Sequence, residues 1–189
     1  MILEKPTVSD FLESLPVGSV GGEGLWSSSW MIVGEAPGKA EEEQLRPFVG
    51  RSGQLLRREL DGVGMDPMRV WITNIYKNRP PENRTPTSEE IEEHLPYLQY
   101  EITEGHPKYI LALGNVAFQT LVGTTLGISL YRGFWHPLSE SIKPRYEAPE
   151  LIEPLIMPTY HPAYILRNRK AIDTWRRDLK EWAIRDIQP

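Results

Sequence analysis

The run Tyr160-His161-Pro162-Ala163-Tyr164-Ile165-Leu166-Arg167-Asn168 gathers an imidazole, apolar side chains and a guanidinium in one short stretch. A histidine held by a following proline can donate a hydrogen bond to a developing negative charge. Ile165 and Leu166 beside Arg167 have the make-up of an apolar wedge flanked by phosphate contacts. Taken singly, His161 reads more readily as a structural histidine than as a catalytic one. Gly34-Glu35-Ala36-Pro37-Gly38 offers two glycines that let backbone approach a flat or anionic ligand, although a plain turn has the same composition. It is neither a phosphate-binding lysine loop nor a dinucleotide fingerprint. Pro47-Phe48-Val49-Gly50-Arg51-Ser52-Gly53 adds an aromatic ring suited to the core or to stacking on a base. Asn74 carries the one kind of side chain that donates and accepts together; that suits a turn cap or the edge of a nucleobase.

The elements that must position these residues follow from hydrophobic pattern. Trp30-Met31-Ile32-Val33 is an apolar run ending at Gly34, and it suits a strand buried on both faces. Val70 to Asn74, Tyr109 to Leu113 and Leu155 to Tyr160 are three further strands. A short helix is expected at about 9 to 15. Another is expected through Leu55, Leu56, Leu60 and Val63, closed by Gly62 and Gly64. Thr87 and Glu90 have capping-box spacing ahead of a helix carrying Ile91, Leu95 and Leu98. Gly114-Asn115 opens a helix with Val116, Phe118 and Leu121, and a last helix runs from about 171 to 185. Residues 123 to 150 show no pattern that selects an element. Strands alternating with helices imply a parallel sheet covered on both faces, an α/β fold. The loops 34 to 53, 74 to 86 and 161 to 169 each follow the carboxyl end of a strand, the edge at which such sheets bind ligands.

Composition bounds the answer. The chain of 189 residues has 40% hydrophobic residues and six Trp, eight Tyr and four Phe, so it is neither a disordered tail nor too short for a core. No apolar run is long enough to span a bilayer. Met1 to Pro6 lacks the pattern of a signal peptide, so the expected location is intracellular, the cytoplasm. With no cysteine, the chain has no thiol nucleophile, zinc-thiolate finger or cysteine-held iron-sulfur cluster. The net charge of −5 argues against a generally basic coat, but residues 44 to 84 hold eight Arg and Lys against four acids, leaving room for a local basic groove.

The strings GEAPGKAEEEQLRPFVGRSGQLL, ITNIYKNRPPENRTPTSEEIEEHLPYL, ALGNVAFQTLVG and PTYHPAYILRN stand in the order in which the uracil-DNA glycosylase superfamily carries its motifs. From about residue 30 to residue 182 the chain most resembles family 4, the iron-sulfur type. The resemblance implies a three-layer α/β/α sandwich around a four-stranded parallel sheet, in a single domain over 1–189 with a variable segment at 1–29. It also implies a monomer that removes uracil from DNA. By motif position, Glu35 and His161 are the catalytic pair, and Phe48, Asn74, Gly34 and Ala36 hold uracil. The expected DNA contacts are Arg51, Ser52, Pro162, Leu166 and Arg167, with Leu166 filling the vacancy left by the flipped base. Members of family 4 hold their cluster with four cysteines. Here Asn78 and His94 stand at two of those positions and the N-terminal pair is missing, so the expectation is no metal and no cofactor, in a cluster-less variant that virus-encoded origin would suit. The competing readings are a catalytically silent DNA-binding or replication-accessory protein on the same fold, and a nucleotide-binding enzyme.

Overall fold

The computed structural model describes residues 7–143 and 153–184. Five strands form one sheet: β1 (Trp30–Gly34), β2 (Trp71–Asn74), β3 (Tyr109–Leu113), β4 (His136–Pro137) and β5 (Leu155–Thr159), in the order β2-β1-β3-β5-β4. The first four in that order are parallel, and β4 pairs antiparallel with β5. Seven α-helices are described: α1 (Val8–Ser14), α2 (Lys39–Gln44), α3 (Arg51–Gly62), α4 (Ser88–Gly105), α5 (Gly114–Val122), α6 (Pro162–Arg167) and α7 (Ile172–Ala183).

Alternation along the strands sends successive side chains to opposite faces. Ile32, Ile72, Leu111 and Met157 pack on one face with Leu55, Leu56 and Leu60 of α3 and Trp175, Leu179 and Trp182 of α7. Met31, Val33, Ile110, Ala112 and Ile156 pack on the other with Leu98 and Ile102 of α4 and Ala117 and Leu121 of α5. The expected three-layer α/β/α sandwich follows from these two cores. The segment before β1 closes over the α4 side: Phe11 stacks on Tyr100 at 4.9 Å, and Trp26 meets Trp71 edge-on at the same separation. The Thr87–Glu90 capping box forms both of its hydrogen bonds at the start of α4.

Three expectations need correction. The sheet has five strands rather than four, because the two-residue strand β4 edges β5 from within the stretch that showed no pattern. A two-residue pairing containing proline leaves no periodic trace in sequence. The loop after β1 holds α2, whose Lys-Ala-Glu-Glu-Glu-Gln run lacks an apolar stripe. The loop after β5 holds α6, a six-residue helix that Pro162 begins. Residues 1 to 6, 144 to 152 and 185 to 189 lie outside the described residues, and with them the ends of the expected N-terminal segment and last helix.

Gly53, in the first turn of α3, lies against the backbone of Phe48. A Cβ there would stand 2.0 Å from the Phe48 carbonyl carbon, whereas one at Gly62 would meet nothing within 4 Å. Gly53→Ala is therefore expected to cost about 1–3 kcal/mol in chemical denaturation through overpacking, and Gly62→Ala to be neutral or mildly stabilising. Equal effects from the two would contradict this packing.

Candidate active site

The carboxyl ends of β1, β2 and β5 open into a single cleft of about 530 Å³. Its floor is Asn74, the last residue of β2, only 2% exposed. The Asn74 Oδ1 is buried and accepts no hydrogen bond. Most buried polar atoms are paired, and leaving one unpaired costs about 1–3 kcal/mol. This oxygen therefore has its acceptor capacity unused within the protein, at the strand end that floors the cleft. Gly34 lets it sit there: a Cβ at that position would stand 2.4 Å from both the Asn74 Oδ1 and the Phe48 Cζ. The amide and the ring meet only because residue 34 has no side chain.

Phe48 forms a wall of the cleft with φ of +53°, a left-handed conformation uncommon outside glycine. Two side chains hold it there. The buried Glu41 of α2 accepts hydrogen bonds from the Val49 and Gly50 amides at 2.9 and 2.7 Å. Arg57 of α3 donates to the carbonyls of Phe48 and Pro47, each at 3.0 Å.

His161 stands opposite, its ring centroid 6.0 Å from that of Phe48. It is the N-cap of α6, and its Nδ1 accepts the Ala163 amide hydrogen at 3.2 Å. Burial, reinforced by the nearby Arg167 cation, pushes its pKa down to about 4. Near neutral pH the imidazole is thus uncharged, and because Nδ1 is an acceptor the proton resides on Nε2, leaving that atom a donor. The strand end behind it is braced from α7. Asp178 accepts from the Thr159 hydroxyl at 2.5 Å and pairs with Arg132, whose guanidinium lies 5.5 Å from the Tyr160 ring centre.

Glu35 is half-buried on the cleft wall, and burial raises its carboxyl above the ordinary 4.5, opposed by a hydrogen bond from Thr85. The far wall is Pro80, Asn83, Arg84 and Thr85. Arg84 is held by Glu90 through two hydrogen bonds of 2.7 Å, and Asn83 has φ of +54°.

The structure thus brings Glu35, Ala36, Phe48, Ser52, Asn74, His161 and Arg167 together along one cleft. Gly34 lies beneath it. Arg51 is exposed in the first turn of α3 but does not line the cleft, and Pro162 is buried as the first residue of α6. Leu166 is half-buried and packs against the core beside α3 and α7. The wall at 80–85 belongs to the loop 74 to 86 that the sequence places at this edge, whereas no sequence pattern singles out Glu41, Arg57 or Asp178. Nothing in the run of three glutamates at 41 to 43 distinguishes the one that the fold buries.

Asn78 and His94, at positions where the resemblance implies cluster ligands, do not fit an iron-sulfur cluster. The chain has no thiolate. The Nδ1 of His94 is occupied by the Lys77 amide at 3.2 Å, and Asn78 Oδ1 accepts from the Ser19 hydroxyl at 2.7 Å. The His94 ring meets Tyr76 edge-on at 4.4 Å, and the Val20 amide donates to the Lys77 carbonyl at 2.7 Å. Hydrogen bonds and ring contacts therefore join the N-terminal segment, the loop after β2 and α4. Among the described residues no group of three or more His, Cys, Asp or Glu could hold a metal ion.

The family model described as uracil DNA glycosylase superfamily matches residues 22–186. A type-4 uracil-DNA glycosylase from Pyrobaculum aerophilum is 40% identical over 164 residues, covering 85% of this chain and 80% of that protein. Type-4 uracil-DNA glycosylases from Sulfurisphaera tokodaii and Thermotoga maritima are 37% and 36% identical, covering 88% and 89% of this chain and 75% and 79% of those proteins. With its motifs gathered on one sheet edge and its likeness extending over most of its length, the chain belongs to the uracil-DNA glycosylase superfamily.

Proposed function

We propose that this protein excises uracil from DNA by hydrolysing the bond between base and sugar, leaving an abasic site. The observation that carries the reading is the buried, unpaired Oδ1 of Asn74 in a cleft between the Phe48 ring and the neutral imidazole of His161. Uracil offers an N3–H donor beside its O4 acceptor. An asparagine amide can satisfy both at once, Oδ1 taking N3–H and the NH₂ donating to O4. Cytosine has the reverse pattern at these atoms and would leave the oxygen unpaired, the situation in which a polar pocket discriminates most strongly.

A uracil within a duplex must first rotate out of the stack. Phe48 then stacks on the flipped ring. As the bond from C1′ to N1 breaks, its electron pair goes to the base, leaving a uracil anion and a cationic sugar. His161 Nε2–H donates to O2 as that charge develops, and the carboxylate of Glu35 stabilises the sugar and directs the water whose oxygen bonds to C1′, its released proton passing to the carboxylate and one proton being returned to the uracil anion. A neutral imidazole suits this role, since it supplies a directed donor without a charge buried before the reaction begins. Arg167 and Ser52, both on the cleft, suit contacts to flanking phosphates, which position the strand without reading sequence. The residues at 78 and 94 supply no iron ligand set, so this chemistry runs without a cluster.

His161→Ala is expected to slow single-turnover excision roughly 100-fold or more with little change in DNA affinity, because the lost donor acts mainly in the transition state. Arg167→Ala should instead weaken binding and lower its log-log salt slope by about 0.7 to 0.9. The assignment of His161 is wrong if its alanine variant cuts within about threefold of the parent while remaining folded.

The pH profile separates the two catalytic groups. Glu35 must be ionised to act, and its pKa is raised, so the rate should fall on acidification from a point above pH 4.5, before His161 gains its proton near pH 4. Glu35→Gln should be slower and lack that acid limb. A limb that persists unchanged in Glu35→Gln would assign it elsewhere.

The purified protein is expected to be colourless and to keep full activity in a strong iron chelator. Stoichiometric iron with visible charge-transfer absorption, or loss of activity on chelation, would contradict the cluster-less reading.

A further inference from the structure

Directly behind Asn74 lies a buried ion pair for which the chemistry of base excision has no evident use. Lys77 and Glu101 are both fully buried, with Nζ 2.5 Å from Oε2. The ammonium has three donors, and each finds an acceptor: Glu101, the Thr73 hydroxyl at 2.7 Å and the main-chain carbonyl of Asn74 at 2.8 Å. Glu101 reaches in from α4 and also accepts from the Trp71 indole at 3.2 Å and the Thr73 hydroxyl at 2.9 Å. Alternate residues of β2, Trp71 and Thr73, thus share one carboxylate with the lysine that closes the turn after the strand.

A buried ion pair is weak evidence for stability, because replacing both members with uncharged residues often costs little. This pair differs in where it ends. Asn74 Oδ1 has no hydrogen bond within the protein, so no partner of that oxygen sets the orientation of the amide. What remains is packing against Gly34 and Phe48 and the backbone, whose next peptide donates from Ile75 N–H to the Gly34 carbonyl and presents the Asn74 carbonyl to the ammonium. Rotating the peptide after Asn74 would leave a buried ammonium N–H without an acceptor, a costly state. The direction in which the Asn74 side chain leaves the backbone is therefore tied to Lys77.

We propose that Lys77 is a positioning residue for base recognition: its bond to the Asn74 carbonyl holds the amide in register with the uracil edge, and Glu101 holds the ammonium in place. The inference rests on the reading of Asn74 as the uracil-contacting amide, and its test must tell the two apart.

The variant Lys77→Met with Glu101→Gln removes both charges together, while the new amide oxygen still accepts from Trp71 and Thr73. Single-turnover excision of a uracil oligonucleotide is measured in this variant, in Asn74→Ala and in the triple combination, with thermal melting of each. The expected result is about a 10-fold or greater loss in the double variant that largely disappears in the Asn74→Ala background, since groups acting through one residue are not additive. A purely structural pair would give losses that multiply, and that result overturns the proposal, as does a double variant that cuts at the parent rate. Full activity of Asn74→Ala would instead overturn the role of Asn74, and with it the basis for Lys77. If the double variant is unfolded at the assay temperature, the isosteric Glu101→Gln alone is put through the same cycle. It should lose activity by about threefold or more, again only when Asn74 is present, and no loss or a multiplying loss overturns the proposal.

Discussion

A single carbonyl oxygen, Asn74 Oδ1, is buried at the end of β2 without a donor, and the rest of the site is arranged around that constraint. An unpaired acceptor costs about 1–3 kcal/mol in the unliganded protein. On the proposed function, uracil N3–H recovers that cost, whereas a base presenting an acceptor there does not. Discrimination between the two bases then rests on this atom. The arrangement requires a bare backbone beside it, supplied by Gly34, and a ring held close at an unfavourable backbone angle, supplied by Phe48.

Three buried carboxylates make that arrangement rigid, each beneath a different arm of the cleft. Glu41 ties down the amides after Phe48, Glu101 anchors the lysine behind Asn74, and Asp178 holds Thr159 and Arg132 next to His161. Loops at a sheet edge are ordinarily the most mobile parts of an α/β domain. Acceptors fixed on helices α2, α4 and α7 convert them into positioned walls. The same logic extends to the join between the loop after β2 and α4, where neutral His94 accepts a main-chain N–H and Asn78 accepts from Ser19. Ordinary hydrogen bonds and ring contacts span the place at which the family resemblance implies a cluster.

Much of this was legible in the sequence. The apolar runs at 30–33 and 109–113 announce buried parallel strands, and the polar strings that follow strands place Glu35, Phe48, Asn74 and His161 on one edge. What escaped reading has physical causes. The strand His136–Pro137 is too short to carry a period, and α2 is nearly all polar. Lys77 stands at the head of a polar, proline-rich stretch and looks like part of an exposed loop. Its burial depends on Glu101, 24 positions away, and no local pattern records a pairing over that separation. The basic segment at 44 to 84, read as room for a groove, is partly paired within the protein: Arg46 pairs with Glu23, Arg79 with Glu42 and Arg84 with Glu90. Counting charges along a segment does not reveal which of them the fold pairs.

Because the account turns on one unpaired oxygen, the most direct test is a crystal structure of the protein bound to an oligonucleotide carrying an uncleavable 2′-fluorinated deoxyuridine. The account predicts the flipped base stacked on Phe48, with its N3 within about 2.7–3.2 Å of Asn74 Oδ1. A base seated in the cleft while that oxygen remains without a donor, or a base bound outside the cleft, would contradict it.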